Sequence, residues 1–505
     1  MTALPSLAAS GTLPLTAIPL LDDNDFADAL RANLTDGGRL AVLFALPEKT
    51  NKSEVRLYAA VAPPRHHSVT VFGHQPGTRF PSLTPELPQL HLFEREITEQ
   101  YGVTFTDHPW MKPVRFHAPW NGAADPWQRP TGHPLVGDMD FFRVEGDEIH
   151  EVGVGPVHAG IIEPGHFRFQ CHGEKVLHLE ISLGYQHRGI ERLLSSGPGP
   201  HTAAMIETMA GDSTIAHMSA YSMVIEALGG CRVSPRVARL RAVALELERL
   251  ANHVGDIGAL AGDVGYLPTS SFCGRLRGDY LNMTATLCGS RFGRGLIRPG
   301  GLLWDAGPEI TDKILNHLGP VVEHTGGALD LFFNTSSVLA RLEGTGRVEA
   351  WDAAALGLIG VAGRACGIDC DVRRLNTAGY EGEEVPAILE SSGDVHARAT
   401  VRRREVTHSI DFVRRHLAAL PAGPCRQEVG HPTPDTLSIS MVEGWRGTVT
   451  HAAITDAAGR LRRYKVVDPS FFNWSGLAMA LRDGQISDFP LCNKSFNLSY
   501  CGFDL

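Results

Sequence analysis

No two of the nine cysteines (171, 231, 273, 288, 366, 370, 425, 492 and 501) stand three apart, so the 505 residues contain no Cys-x-x-Cys. An odd number of scattered cysteines argues against a disulfide framework and fits reduced thiols. Cys366 and Cys370, the nearest pair, read as small buried side chains, since no matching Cys or His pair lies close by to complete a metal site. Long hydrophobic runs are also missing: nothing approaches the roughly 20 continuous apolar residues of a membrane span. Met1 to Leu20 has no Lys or Arg before its apolar residues, which argues against a secretory signal. The expectation is a cytoplasmic protein that reaches any membrane through partners. Lys and Arg number 46 against 56 Asp and Glu, a net charge of −10, which excludes a general nucleic-acid binder. Two short basic runs, Val401 to Arg404 and Arg460 to Arg463, read as solvated faces or partner contacts. No Gly-x-Gly-x-x-Gly follows a strand in a βαβ setting, so no NADH site is expected here.

What is present is ordinary globular composition, 43% hydrophobic and 20% charged, in a chain long enough for two or more domains. The pattern predicts an α+β protein: a small N-terminal α/β sandwich-like domain over 1–120, a proline-rich linker over 121–150, and a large helix-bundle domain with small peripheral β-sheets over 151–505. In the first unit, Phe26, Ala29, Leu30 and Leu34 have helical spacing, while 39–46, 55–61 and 68–72 are β-branched and aromatic and read as strands. A second helix is expected from Pro85 through Tyr101. The X-Pro pairs over 106–150 push the chain away from helix. Beyond 150 the sequence predicts a hairpin around His172-Gly173, then helices over 203–228, from Ser234-Pro235, over 311–334, 351–365 and 402–420. The last 70 or so residues read as strands and irregular chain.

Phe93-Glu-Arg-Glu-Ile-Thr-Glu-Gln-Tyr-Gly-Val-Thr-Phe-Thr-Asp-His-Pro109 resembles the signature of the small accessory C-type (30 kDa-type) subunit of complex I, NADH-quinone oxidoreductase. The resemblance implies a docking role, with Glu94, Arg95, Glu96 and Glu99 facing partners and Tyr101-Gly102 ending the helix. Residues 155–505 resemble the large D-type (49 kDa-type) subunit that complex I shares with the group 4 energy-converting nickel-iron hydrogenases such as formate hydrogenlyase. Five blocks occur in the family's order. The first runs through Gly155-Pro-Val-His158, Glu163-Pro-Gly-His-Phe-Arg-Phe169 and Leu183 to Leu193. The second is Ala210-Gly-Asp-Ser-Thr-Ile-Ala-His217 with the helix Arg236 to His253. Arg364 to Arg373 and Glu443-Gly-Trp-Arg-Gly447 are the third and fourth. The fifth holds Asp468-Pro469, Asn473-Trp474, Asp488 to Leu491 and Asp504. A chain fusing C-type and D-type units, with a hydrogenase-large-subunit-like fold, is what the resemblance implies.

The same resemblance implies a centre held by four thiolates, yet the corresponding positions read Ala210, Ser213, Ser499 and Gly502. Polarizable sulfur is needed there, and neither a hydroxyl nor a hydrogen replaces it. No metal and no cofactor is therefore expected on this chain, and a [4Fe-4S] cluster is expected in a partner small subunit. His158 matches the histidine of the quinone cavity, whereas the family's second histidine and its tyrosine have no counterpart. Glu163 matches the proton-relaying glutamate of hydrogenases, and Asp212, His217 and Arg446 would line the same cavity. Each also reads blandly, Glu163 as a loop carboxylate, His217 as a satisfied core histidine and Arg446 as a surface charge. The implied partners are an iron-sulfur small subunit of the complex I B type and membrane subunits of antiporter-like and H-like type. The chain would sit peripherally on the cytoplasmic face and couple electron or proton transfer to ion translocation without being a hydrogenase itself. The alternative is a non-catalytic scaffold that docks the ion-translocating module.

Overall fold

The computed structural model describes residues 4–35, 37–48, 54–62, 68–129, 134–160, 162–375 and 377–505. Pro130 and His133 of the X-Pro pairs, Ile161 of the first block and Met1 to Ala3 lie outside the described residues. Helix and strand are mixed throughout.

Alternating apolar residues build the first sheet. Arg39–Pro47, Val55–Ala62 and Ser68–His74 pair antiparallel, and Ser6–Ala8 and Leu20–Leu21 both add to Ser68–His74. The helix Asp23–Leu34 lies against it, burying Phe26, Leu30 and Leu34, and Asp22 caps it by accepting the Asp25 N–H at 2.8 Å. The helix expected from 85 begins later, at His91–Tyr101, because Leu87 precedes a proline and leaves the helical region. Gly102 ends it at φ +73°, a conformation that suits glycine.

The acidic face of this helix does not look outward, which corrects the expected partner contacts. Glu94 accepts bonds from Ser82, Leu83 and Thr84, and Glu99 from the Arg115 and Phe116 N–H groups at 2.9 and 2.7 Å. Glu96 pairs with Arg115 and, at 2.7 Å, with Lys465 of the C-terminal sheet. Arg115, in the X-Pro stretch that follows this helix, also donates to the Phe503 carbonyl at 3.0 and 2.8 Å. The acidic face therefore packs against the X-Pro stretch and the C-terminal sheet of its own chain. The N-terminal stretch crosses over too: Ser10–Pro14 pairs antiparallel with Thr436–Glu443, forming the edge of a four-stranded sheet with Thr448–Thr455 and Leu461–Val467.

A three-stranded sheet of Ile149–Val154, His166–His172 and Lys175–Ser182 leads into the helices. Ser234 caps Pro235–Asp263, accepting the Val237 N–H at 3.2 Å. After the turn at Gly265 (φ +73°) an unanticipated helix, Leu267–Cys288, runs back along it. It buries Cys273, Leu276, Tyr280, Met283 and Leu287, and Gly258 sits so close to Cys273 that a methyl there would stand 2.7 Å from its Cβ. Two expected helices are broken. Residues 203–228 divide into Thr202–Glu207 and Thr214–Leu228, and 351–365 into Ala350–Ala355 and Gly360–Ala365. The C-terminal segment is helical after its strands, over Pro469–Leu481, Phe489–Phe496 and Tyr500–Asp504. Among the described residues no helix is long and apolar enough to cross a membrane.

The basic runs are not uniformly solvated. Arg402 is buried and donates to Asp256 at 2.8 Å, and Arg463 is buried against Glu191 at 3.0 Å, each brought inward by helix or strand alternation. All nine cysteines are free thiols, with Cys366 and Cys370 both buried.

Candidate functional site

The two helix breaks create the site. Between Thr202–Glu207 and Thr214–Leu228, Thr214 Oγ1 donates to the Glu207 carbonyl at 2.9 Å and Ser213 N–H to the Ala210 carbonyl at 2.9 Å, so 208–213 forms a tight turn. Facing it is the turn between Thr436–Glu443 and Thr448–Thr455. A Cβ on Gly360 would stand 1.9 Å from the Arg446 carbonyl, so only glycine lets this turn lie there. Arg249 holds the turn from within, donating to the Gly444 and Glu443 carbonyls at 3.0 and 2.8 Å.

Trp445 and Arg446 project from that turn onto Asp212. The guanidinium bonds both carboxylate oxygens, at 2.6 and 2.7 Å, and reaches Ser213 Oγ at 3.3 Å. Its Nε donates to the Asn497 carbonyl at 2.5 Å, and it stacks 3.9 Å over the Trp445 ring, whose indole N–H bonds the Asp212 carbonyl at 2.9 Å. Burial opposes ionisation of Asp212, but Arg446 outweighs it and holds the carboxyl below its usual range.

One turn along Thr214–Leu228, His217 begins a buried polar chain. Its Nε2 lies 3.0 Å from Asp468 Oδ2 and its Nδ1 3.1 Å from His451 Nε2, and His451 Nδ1 lies 2.8 Å from the Tyr464 hydroxyl. Burial, then the neighbouring His217, push His451 well below the usual histidine value. Burial also raises Tyr464 well above the usual tyrosine value. Burial works against the Asp468 carboxylate, yet the His217 hydrogen bond and charge together with Arg446 hold it low. Asp468 in turn caps Pro469–Leu481 through the Ser470 N–H at 2.8 Å.

The C-terminal positions meet this chain directly. A Cβ on Gly502 would stand 2.7 Å from both Asp468 Cγ and Oδ2. Ser499 caps the last helix, accepting the Gly502 N–H at 2.9 Å, and its hydroxyl lies 3.4 Å from the Cys501 sulfur. Burial and the adjacent Glu163 push the Cys501 thiol up to about 12. Glu163 thus borders the C-terminal end of the site. His158 does not join it: its Nε2 is 2.9 Å from the Gly165 carbonyl and its ring packs on Phe167. Ala210 is buried in the turn.

Asp468, His451, Tyr464 and Glu248 belong to this buried polar set, and the sequence alone marks none of them for a role. Asp468-Pro469 stood out only as part of a block, and a lone histidine in a strand such as His451 carries no signal. Glu248, within the long helix, accepts the Ile215 and Ala216 N–H groups at 2.7 and 3.3 Å at the start of Thr214–Leu228. Burial, aided by Asp212, pushes it up from 4.5 to about 8, so it is protonated at neutral pH. A carboxyl raised on folding contributes stability that is full below pH 4.5 and lost as pH rises through about 8. Glu248→Gln mimics the protonated form and should abolish that loss. Urea midpoints from about pH 5 to about pH 9 are expected to fall further in the parent chain than in the variant, where Asp504, pushed up to about 6, still titrates; parallel profiles would refute the assignment. Among the described residues, no group of three or more His, Cys, Asp or Glu side chains is arranged to hold a metal ion.

Two family models match the chain, the respiratory-chain NADH dehydrogenase 30 kDa subunit over residues 22–142 and the 49 kDa subunit over residues 263–437. The carbon monoxide-induced hydrogenase of Rhodospirillum rubrum is 29% identical over 350 residues, 69% of this chain and 97% of that protein. Formate hydrogenlyase subunit 5 of Escherichia coli is 27% identical across 92% of this chain and 84% of its own length. The C/D subunit of the NADH-quinone oxidoreductase of Bacteroides thetaiotaomicron is 28% identical across 72% of this chain and 74% of its own. The protein therefore belongs among the fused 30 kDa-type and 49 kDa-type subunits, with the NADH-quinone oxidoreductase C/D subunit, formate hydrogenlyase subunit 5 and hydrogenase-4 component G as homologues.

Proposed function

We propose that this chain is the large subunit of a membrane-bound oxidoreductase complex related to complex I and the energy-converting hydrogenases, working without a nickel-iron centre. It would lie on the cytoplasmic arm against an iron-sulfur small subunit with a [4Fe-4S] cluster, above H-like and antiporter-like membrane subunits. The observation that carries the reading is the donor set. Ala210, Ser213, Ser499 and Gly502 offer no thiolate, Asp468 crowds the last of them, and Cys501 remains protonated. These residues do not fit a nickel-iron centre. They suit proton handling, with Glu163 and Cys501 at one end and Asp212, Arg446 and the His217–Asp468 pair beyond.

Purification of the intact complex, with metal content, hydrogen uptake and quinone reduction measured together, tests this. The expected result is no stoichiometric nickel and no hydrogen uptake; stoichiometric nickel on this chain would overturn the reading. Complete burial of His217 and His451 favours a second reading, a non-catalytic scaffold docking the membrane module.

A further inference from the structure

Between the helices His91–Tyr101 and Pro469–Leu481 lies a cavity of about 280 Å³, lined by none of the polar-chain residues described above. Its body is apolar, made by Leu92, Val114 and Phe116 from the N-terminal part of the chain and Trp474 and Ala478 from the C-terminal helix. Two arginines lie in its wall, Arg95 and Arg482, and Arg95 is the one braced by backbone carbonyls. Arg95 donates Nε–H to the Lys112 carbonyl and Nη2–H to the Pro113 carbonyl, both at 2.8 Å. Its Nη1 has no bond, and no carboxylate pairs with it among the described residues. Glu180, also in the wall, is occupied by Lys112 Nζ at 2.6 Å and the Phe142 N–H at 2.7 Å.

The neighbouring histidines add no charge at neutral pH, because burial pushes His91 down to about 3 and His178 below its usual value. His178 Nε2 is buried without a partner, and its ring lies 4.6 Å from the exposed Phe142 and 5.8 Å from Trp110. An arginine whose fork is braced by two carbonyls, whose Nη1 is open and whose nearest carboxylates, Glu99 and Glu180, act on it only without direct contact, is prepared to receive an anionic oxygen. An apolar chamber with one such group is the general form of a small-ligand site.

We propose that this cavity binds an amphipathic carboxylate, its acyl or aryl body against Leu92, Val114, Trp474 and Ala478 and its carboxylate on Arg95 Nη1. The inference stands apart from the reading of the polar chain.

Calorimetric titration of the full chain with decanoate, decanol and a short-chain quinone tests it without any variant. Decanoate should bind saturably and at least about tenfold tighter than decanol or the quinone, the difference expected of a hydrogen bond to a charged group. Two variants add a second line. Ala478→Phe, which fills the chamber, should abolish decanoate binding while leaving the urea midpoint within the ordinary range of substitutions. Arg95→Met should bring decanoate and decanol to the same affinity. No saturable decanoate binding, equal or tighter binding of decanol or quinone, or undiminished binding by a folded Ala478→Phe chain would each overturn the proposal.

Discussion

Arg373→Ala should cost the folded chain about 3–5 kcal/mol, the loss expected when one partner of a buried ionic network is removed. Arg373 is 1% exposed and binds Asp371 through three contacts of 2.5 to 3.1 Å, Glu246 at 3.1 Å and Glu405 at 3.1 Å. Arg364 bonds Glu405 and Glu443 at 2.7 and 2.8 Å, and His253 reaches Glu405 at 2.6 Å. Without Arg373, the carboxylates Glu246, Asp371, Glu405 and Glu443 keep, among the described residues, only Arg249 and Arg364 as guanidinium partners. Arg249 is also the group that holds the Trp445-Arg446 turn, so the loss should reach the site.

The same network sets an acid limit. Burial opposes ionisation of Glu246, Asp371 and Glu405, but the guanidiniums hold all three below their usual values. Carboxyls lowered on folding contribute stability above their unfolded values of 3.8 and 4.5, and it is lost as pH falls further. Denaturant unfolding at neutral pH and at about pH 4 checks both statements. A loss below about 1 kcal/mol at neutral pH would refute the network's role, since ordinary surface substitutions lie within that range.

The second large effect concerns His217 and Asp468. Removing the imidazole in His217→Ala leaves Asp468 Oδ2 and His451 Nε2 without the bond each makes to it, while Asp468 keeps the Ser470 N–H and His451 the Tyr464 hydroxyl, so about 1–3 kcal/mol of stability should go for each orphaned atom. Asp468→Asn keeps the shape and an acceptor for His217 but cannot carry the negative charge. If the pair moves protons, Asp468→Asn and Glu163→Gln complexes should assemble normally and lose about 10²- to 10⁴-fold in turnover, the usual worth of a positioned acid or base. Assembly assayed by gel filtration and turnover by quinone reduction separate the outcomes. Full turnover in both variants, with assembly still dependent on the chain, would sink the proton reading and leave the scaffold.

The strands at 39–46, 55–61 and 68–72 and the capped helix from Ser234-Pro235 were legible because side-chain period and cap chemistry are local properties. The helix Leu267–Cys288 was not, since its buried stripe of Cys273, Leu276, Tyr280, Met283 and Leu287 is interspersed with Ser, Thr, Gly and Arg, and its packing also depends on the close approach of Gly258 to Cys273. The C-terminal helices were missed for a related reason: Pro469–Leu481 is apolar almost all round because it is buried on most sides.

The sequence by itself determined the family, through ordered blocks, and the chemistry withheld from Ala210, Ser213, Ser499 and Gly502, because a residue type either carries a sulfur or does not. It also drew Asp212, His217 and Arg446 to one region, though only by resemblance. Tertiary structure alone decided that Asp212 and Arg446 close on each other, that His217 is held between Asp468 and His451, and that the acidic helix face docks within the chain. The reason is distance along the chain. Asp212 and Arg446 stand 234 residues apart, and His217 and Asp468 251. Such pairs are set by how sheets and helices close over one another, which no local pattern of residues encodes.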